Sequence, residues 1–161
     1  MDGIVIKIIE TPIVDVDYKS NKYNQGDLDI VDATLLSTDE ARVLPLRLRS
    51  YNNWWWLRSP SIGFINYAAL VYGAGSVSRY GNLVHDGDGA VRPALKITNL
   101  ESSNLKIGDI FKFGGKEFEI ISDNLAFCLG DIGKHKFDEK SNDYEISEIK
   151  QYVDNWFNSS I

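Results

Sequence analysis

The sequence predicts an α+β fold of short antiparallel strands carrying two helices, and three observations predict it. Short β-branched and aromatic stretches broken by glycine run from Tyr67 to Ile97 and again from Asp109 to Leu129. Helical signals occur in two places only, Ser37-Thr38-Asp39-Glu40 and the segment after Ser147. Two apolar segments, Trp54-Trp55-Trp56-Leu57-Arg58-Ser59-Pro60 and Val91-Arg92-Pro93-Ala94-Leu95, each set an arginine among core-type residues with a proline close behind. A charge in such company must find a carboxylate or carbonyls, because burying it unpaired is very costly. The two segments therefore read as neighbouring core strands whose arginines lock irregular backbone, with Trp55, Arg58 and Arg92 largely buried. Along an extended chain side chains alternate faces, so Trp54 and Trp56 point one way and Trp55 the other.

In chain order, the β-branched run at 4–9 reads as a strand. After Thr11-Pro12, Val14, Val16 and Tyr18 alternate onto one face of a second strand. Residues 19–29 read as loop. Asp15, Asp17, Asp27, Asp29 and Asp32 lack the spacing of a calcium loop and read as a solvated acidic face. Ser37 followed three residues later by Glu40 has the form of a capping box, so a helix starts at Thr38 and stops near Leu44, before Pro45. Leu46 and Leu48 lead into the core. The meander from Tyr67 breaks at Gly73-Ala74-Gly75, at Gly81-Asn82 and at Asp86-Gly87-Asp88-Gly89, where glycine supplies positive φ. Asp109–Phe113 and Lys116–Ile121 flank Gly114-Gly115 as a hairpin, and Leu125–Leu129 follows as a third strand. From Ser147, the residues Ile149, Val153, Trp156 and Phe157 recur at helical spacing, so a helix over 147–157 buries Trp156 against a sheet.

The chain has 161 residues, 43% of them hydrophobic and 25% charged, enough for one domain with a proper core. It reads as a single domain over 1–161, with the arginine motifs in 30–100 and a hairpin–helix part in 101–161; Asn99–Asn104 is its one soft joint. No apolar run approaches the ~18 residues of a membrane span. No signal-peptide pattern opens the chain, so the expectation is a cytoplasmic or phage-associated protein. A net charge of −6 argues against nucleic acid as partner. All six arginines lie between 41 and 100, flanked by acidic segments, which reads as acidic flanks pairing with a basic centre, with an anion-recognising surface as the alternative.

The catalytic alternatives are few. His85, Asp86 and Asp88 suggest an acid–base or metal cluster, but no glutamate stands where a calcium loop needs it. Cys128 and His135 suggest a thiol and its base, yet Cys128 sits in an apolar strand, where cysteine is inert packing. No catalytic group, metal site or cofactor is assigned.

At Trp55-Trp56-Leu57-Arg58-Ser59-Pro60 and Val91-Arg92-Pro93-Ala94-Leu95 the chain resembles a widespread family, of no assigned function, found in gut bacteria and their phages. That family carries a WWLRSP stretch, a variable meander and a closing VRPAL; Leu35-Leu36-Ser37 with Glu40 matches its lead-in. Phe113-Gly114, Ile120-Ile121 and Ser147–Trp156 resemble a hairpin–helix segment that commonly opens the domain there but follows VRPAL here. The order is thus rotated, or the segment completes a neighbouring copy in a homo-oligomer, towards which the reading leans. The layout is more distantly similar to the C-type-lectin-like fold of formylglycine-generating enzymes and retroelement-diversified binding proteins. That resemblance implies a variable ligand surface over 61–90. Formylglycine-generating catalysis needs a pair of cysteines, and this chain has Cys128 alone. The expected function is recognition of a glycan or protein through Phe64, Asn66, Tyr67, Tyr72, Arg79, Tyr80, Asn82, His85 and Asp86, residue types that paratopes use.

Overall fold

The structure is a computed structural model that describes the backbone of residues 13–17 and all of residues 28–161. The strand expected at 4–9, Tyr18 and most of the loop expected at 19–29 lie outside the described residues.

Nine strands and three helices are described. Strands β1 (Ile13–Asp17) and β2 (Asp29–Thr34) come first. Helices α1 (Thr38–Arg42) and α2 (Leu46–Arg49) follow. Then come β3 (Trp55–Pro60), β4 (Tyr67–Val71), β5 (Val77–Leu83) and β6 (Ala94–Thr98). Strands β7 (Ile110–Phe113), β8 (Lys116–Ser122) and β9 (Leu125–Cys128) lead to a 3-10 turn at Tyr144–Ile146 and helix α3 (Glu148–Ser159). The strands form a six-stranded sheet in the order β1-β7-β8-β9-β6-β2 and a three-stranded sheet in the order β3-β4-β5. Every pairing is antiparallel except β1 with β7, which is parallel. The architecture is mixed α and β with mostly antiparallel sheets, as the sequence predicts.

Ala90 bridges β3 to Lys134. Its N–H donates to the Trp54 carbonyl (2.9 Å) and its carbonyl accepts from Trp56 N–H (3.2 Å). The tryptophans alternate about this seam. Trp56 is buried in the larger core cluster, with Trp54 packed against it edge-on at 4.8 Å. Trp55 is buried in the second cluster beside Phe127. Burying ~200 Å² of tryptophan surface contributes roughly 5 kcal/mol of transfer free energy, so this one strand anchors both cores.

The arginine motifs fix irregular chain. Arg92 is 2% exposed and donates to the carbonyls of Leu48 (3.0 Å), Cys128 (3.2 Å), Leu129 (3.3 Å) and Gly130 (3.2 Å). Its guanidinium lies over the rings of Tyr51, Trp55 and Phe127, at 4.3, 4.8 and 4.5 Å. Val91–Pro93 is not the core strand expected but a connector. Val91 pairs with Ile132 and Gly133, and Pro93 accepts from Cys128 N–H. Proline offers no N–H to a ladder, so regular pairing begins only at Ala94.

Other local signals resolve with corrections. Ser37 caps α1 in a full capping box with Glu40, but the helix ends at Arg42. Pro45 then stands at the N-cap of a separate turn, α2, which leaves Leu46 exposed while Leu48 is buried. A third helix was not expected. Gly81 does not break the meander: β5 runs through it as a bulge opposite Ala68, where a Cβ would meet the Ala68 carbonyl oxygen at 1.7 Å. Gly114 and Gly115 take φ of 60° and 78°, the tight hairpin turn the sequence predicts. Ser147 caps α3, whose Ile149, Val153 and Phe157 are buried. Trp156 is only half-buried, edge-on to Phe113 (5.7 Å) and stacked on Phe118 (6.0 Å).

A pinned loop and its cleft as the candidate functional site

Residues 61–66 connect β3 to β4, and hydrogen bonds fix the connection from both sides. Ser61 Oγ accepts from the N–H groups of Gly63 (3.0 Å) and Phe64 (3.2 Å). Ser61 N–H donates to Tyr67 O, and Ile62 N–H donates to Arg79 O on β5, both at 3.1 Å. Asn142 Nδ2, from the segment before α3, donates to the Tyr67 (3.0 Å) and Phe64 (3.4 Å) carbonyls. With the backbone held this way, the side chains point outward. Ile62 is 62%, Phe64 50%, Ile65 89% and neighbouring Tyr80 57% exposed. Phe64 lies 4.7 Å from Tyr67 and 6.2 Å from Tyr80, centroid to centroid. Three exposed apolar side chains on hydrogen-bonded chain make this a candidate interaction surface.

The structure divides the sequence-predicted ligand residues. Phe64, Asn66, Tyr67, Tyr80 and Asn82 gather at one end of the β4–β5 hairpin. Exposed His85 and half-buried Asp86 follow in the next turn. Val84 N–H donates to Asn66 O, and Asn82 Nδ2 donates to Asp86 Oδ2 at 2.9 Å. Tyr72 lies at the other end of β4, five residues along, or ~16 Å at the strand rise. Arg79 is exposed and reaches Asp39 at 3.5 Å, both side chains in solvent, a contact worth about 0–1 kcal/mol. Ile62 and Ile65 were missed, because residue type alone does not tell an exposed isoleucine from a core one.

Beside the loop opens a cleft of about 380 Å³, lined by Arg58, Ser59, Pro60, Asn142, Asp143, Tyr144 and Glu145. Arg58 is half-buried, not largely buried as expected, because its Nη1 faces Glu40 Oε1 (2.7 Å) near the surface while also donating to Leu35 O (2.7 Å). Burial pushes the Glu40 carboxyl up. The Arg58 guanidinium and the Ser37 N–H outweigh that, holding it below its usual 4.5. Asp143 Oδ1 accepts from Glu145 N–H (3.0 Å) and caps the 3-10 turn. Among the described residues neither Asp143 nor Glu145 forms an ion pair. The Tyr144 hydroxyl is buried beside Thr34 and the Leu35 backbone but meets neither in hydrogen-bonding geometry. Burial raises its pKa.

The alternative catalytic groups are each held in other company. Cys128 is fully buried, and burial pushes its thiol up to about 12, so it is protonated at neutral pH. The His135 ring stacks on Tyr152 at 4.4 Å, and its Nδ1 meets Lys136 O at 2.6 Å. Asp86 Oδ1 accepts the Asp88 N–H within the glycine-rich turn. Among the described residues no group of three histidine, cysteine or acidic side chains is placed to hold a metal ion. No described helix is long and apolar enough to cross a membrane.

Fold and site together define a small α+β scaffold that holds a rigid, exposed loop beside a cleft. Residues 11–99 match the family described as a domain of unknown function, DUF6273, and the chain belongs to that family. No curated protein and no solved structure matches it.

Proposed function

We propose that this chain is a non-enzymatic recognition module, built on a C-type-lectin-like core, that presents the surface between its two arginine motifs to a glycan or protein. One observation carries the reading: Ile62, Phe64 and Ile65 are exposed on a loop whose backbone is bonded from both sides, next to exposed Tyr80 on β5. Binding needs a rigid scaffold and accessible, chemically varied side chains, and this surface has both. The arginine motifs support it from beneath, one tying β3 to the chain before α1 and the other tying α2 to the strand β9 end.

The test uses a glycan array and a peptide array, each probed with wild type and with a Phe64→Ala, Tyr80→Ala double variant. Wild type is expected to retain ligands on one array, and the variant to lose at least about tenfold in affinity, as for two truncated interface aromatics. A variant that unfolds like wild type and binds equally well would place recognition elsewhere.

A further inference from the structure

We infer that the ligand of this surface is a polypeptide segment carrying a lysine or arginine beside an apolar side chain, the cation entering the cleft of Arg58 and Asp143 and the apolar group covering Phe64. The inference rests on the recognition reading above and names its partner class.

Charge decides the first half. Three ionisable side chains other than tyrosine line the cleft with opposite signs: Arg58, Asp143 and Glu145. Glu40 already neutralises Arg58 across 2.7 Å, while Asp143 and Glu145 form no ion pair among the described residues; Glu145 acts at longer range on Lys150, whose ion pair is with Asp154. The cleft therefore presents net negative charge in a concave space, where a field is focused. A chain with net charge −6 also draws basic ligands at long range. An anionic sugar or phosphate would meet two carboxylates that no ion pair neutralises.

Shape and chemistry decide the second half. Asn142 forms a wall of the cleft and also binds the carbonyls of Phe64 and Tyr67, so cleft and patch adjoin. The patch includes two aliphatic side chains, Ile62 and Ile65, exposed more than the aromatics. Sugar rings stack on flat faces flanked by polar groups, whereas branched aliphatic surface gains from covering by other apolar side chains. A basic residue next to an apolar one satisfies both halves at once.

The test takes the full chain and short synthetic peptides in which net charge and apolar content vary independently, with the glycan array as a parallel arm. Basic apolar peptides are expected to bind best, with neutral apolar ones about fivefold weaker, and the difference should shrink with salt. An Asp143→Asn, Glu145→Gln variant keeps the cap, since asparagine caps as well as aspartate, and should lose the charge preference while still binding apolar peptides. A charge preference unchanged in that variant, or none in wild type, overturns the inference. Binding to glycans alone overturns it while leaving the recognition reading standing, provided the Phe64→Ala, Tyr80→Ala variant loses that binding. Failure on both arrays overturns both.

Discussion

Arg92 carries its charge into the core without forming an ion pair, the Asp131 carboxylate acting on it only at longer range. Four carbonyls and three aromatic faces stand in for one. Burial brings its pKa down to about 10, so it remains cationic at neutral pH. Lysine has three donors on a point charge and no planar face, so it would leave carbonyls unbonded and stack poorly. Arg92→Lys is expected to cost about 3 kcal/mol, read as a lower urea midpoint at unchanged slope; a loss under about 1 kcal/mol would show that the fork geometry is unimportant. Arg58 answers differently because its partner Glu40 is itself part of the α1 capping box. The folded Glu40 carboxyl holds its proton less tightly than the unfolded one, which titrates near 4.5. Its stabilisation is therefore fully present above pH 4.5 and fades as pH falls through the lower, folded value. Stability measured by denaturant over that acid range should fall less steeply for Glu40→Gln than for wild type. Equal slopes would mean the ion pair does not couple to folding. The sequence made the buried fate of Arg92 legible through its apolar neighbours. It could not show that Arg58 stays half-open, since that depends on where α1 places Glu40.

Among the elements, the β7–β8 hairpin and α3 were legible because their signals are local: two glycines between strands, and a serine cap ahead of a 3.6-residue pattern. Their docking also constrains the turn. Gly114 and Gly115 both have positive φ, but a Cβ on Gly114 would meet Ser160 Oγ at 2.5 Å and Trp156 at 3.0 Å, while one on Gly115 meets nothing. Gly115→Ala should therefore cost only the backbone term, about 1 kcal/mol, and Gly114→Ala distinctly more. Thermal melts of the two variants make the comparison, and equal shifts would mean that α3 yields freely. Two features were not legible. Pro45 ends α1 by sterics but also opens α2, and a stop signal does not announce a restart. The parallel pairing of β1 with β7 joins segments about a hundred residues apart, and alternation within one strand says nothing about its neighbour's direction.

At the scale of the whole molecule, the family match and the sheet do not end together. The match stops at Asn99, yet β7, β8 and β9 lie between β1 and β6 in the six-stranded sheet. Residues beyond 99 supply eleven of the twenty buried residues of the larger core cluster. They also supply three of the four carbonyls that hold Arg92 and the His135 carbonyl that accepts from Trp56 Nε1. Without them β1 has no partner among the described strands and β6 presents a bare edge above an open core. A fragment ending at residue 99 is therefore expected to lack a cooperative unfolding transition, since its core would lose more than half its buried residues and Arg92 three of its four acceptors. Adding residues 100–161 as a separate chain should restore the transition, because every lost contact is a pairing across the Asn99–Asn104 joint. The same arithmetic governs exchange between copies: a hairpin–helix part swapped across that joint would keep each pairing, and light scattering over a dilution series would read it as a concentration-dependent mass. Calorimetry on the fragment decides the first point. A sharp melt from residues 1–99 alone would mean that the family segment builds its own core and that the sheet beyond it is an addition.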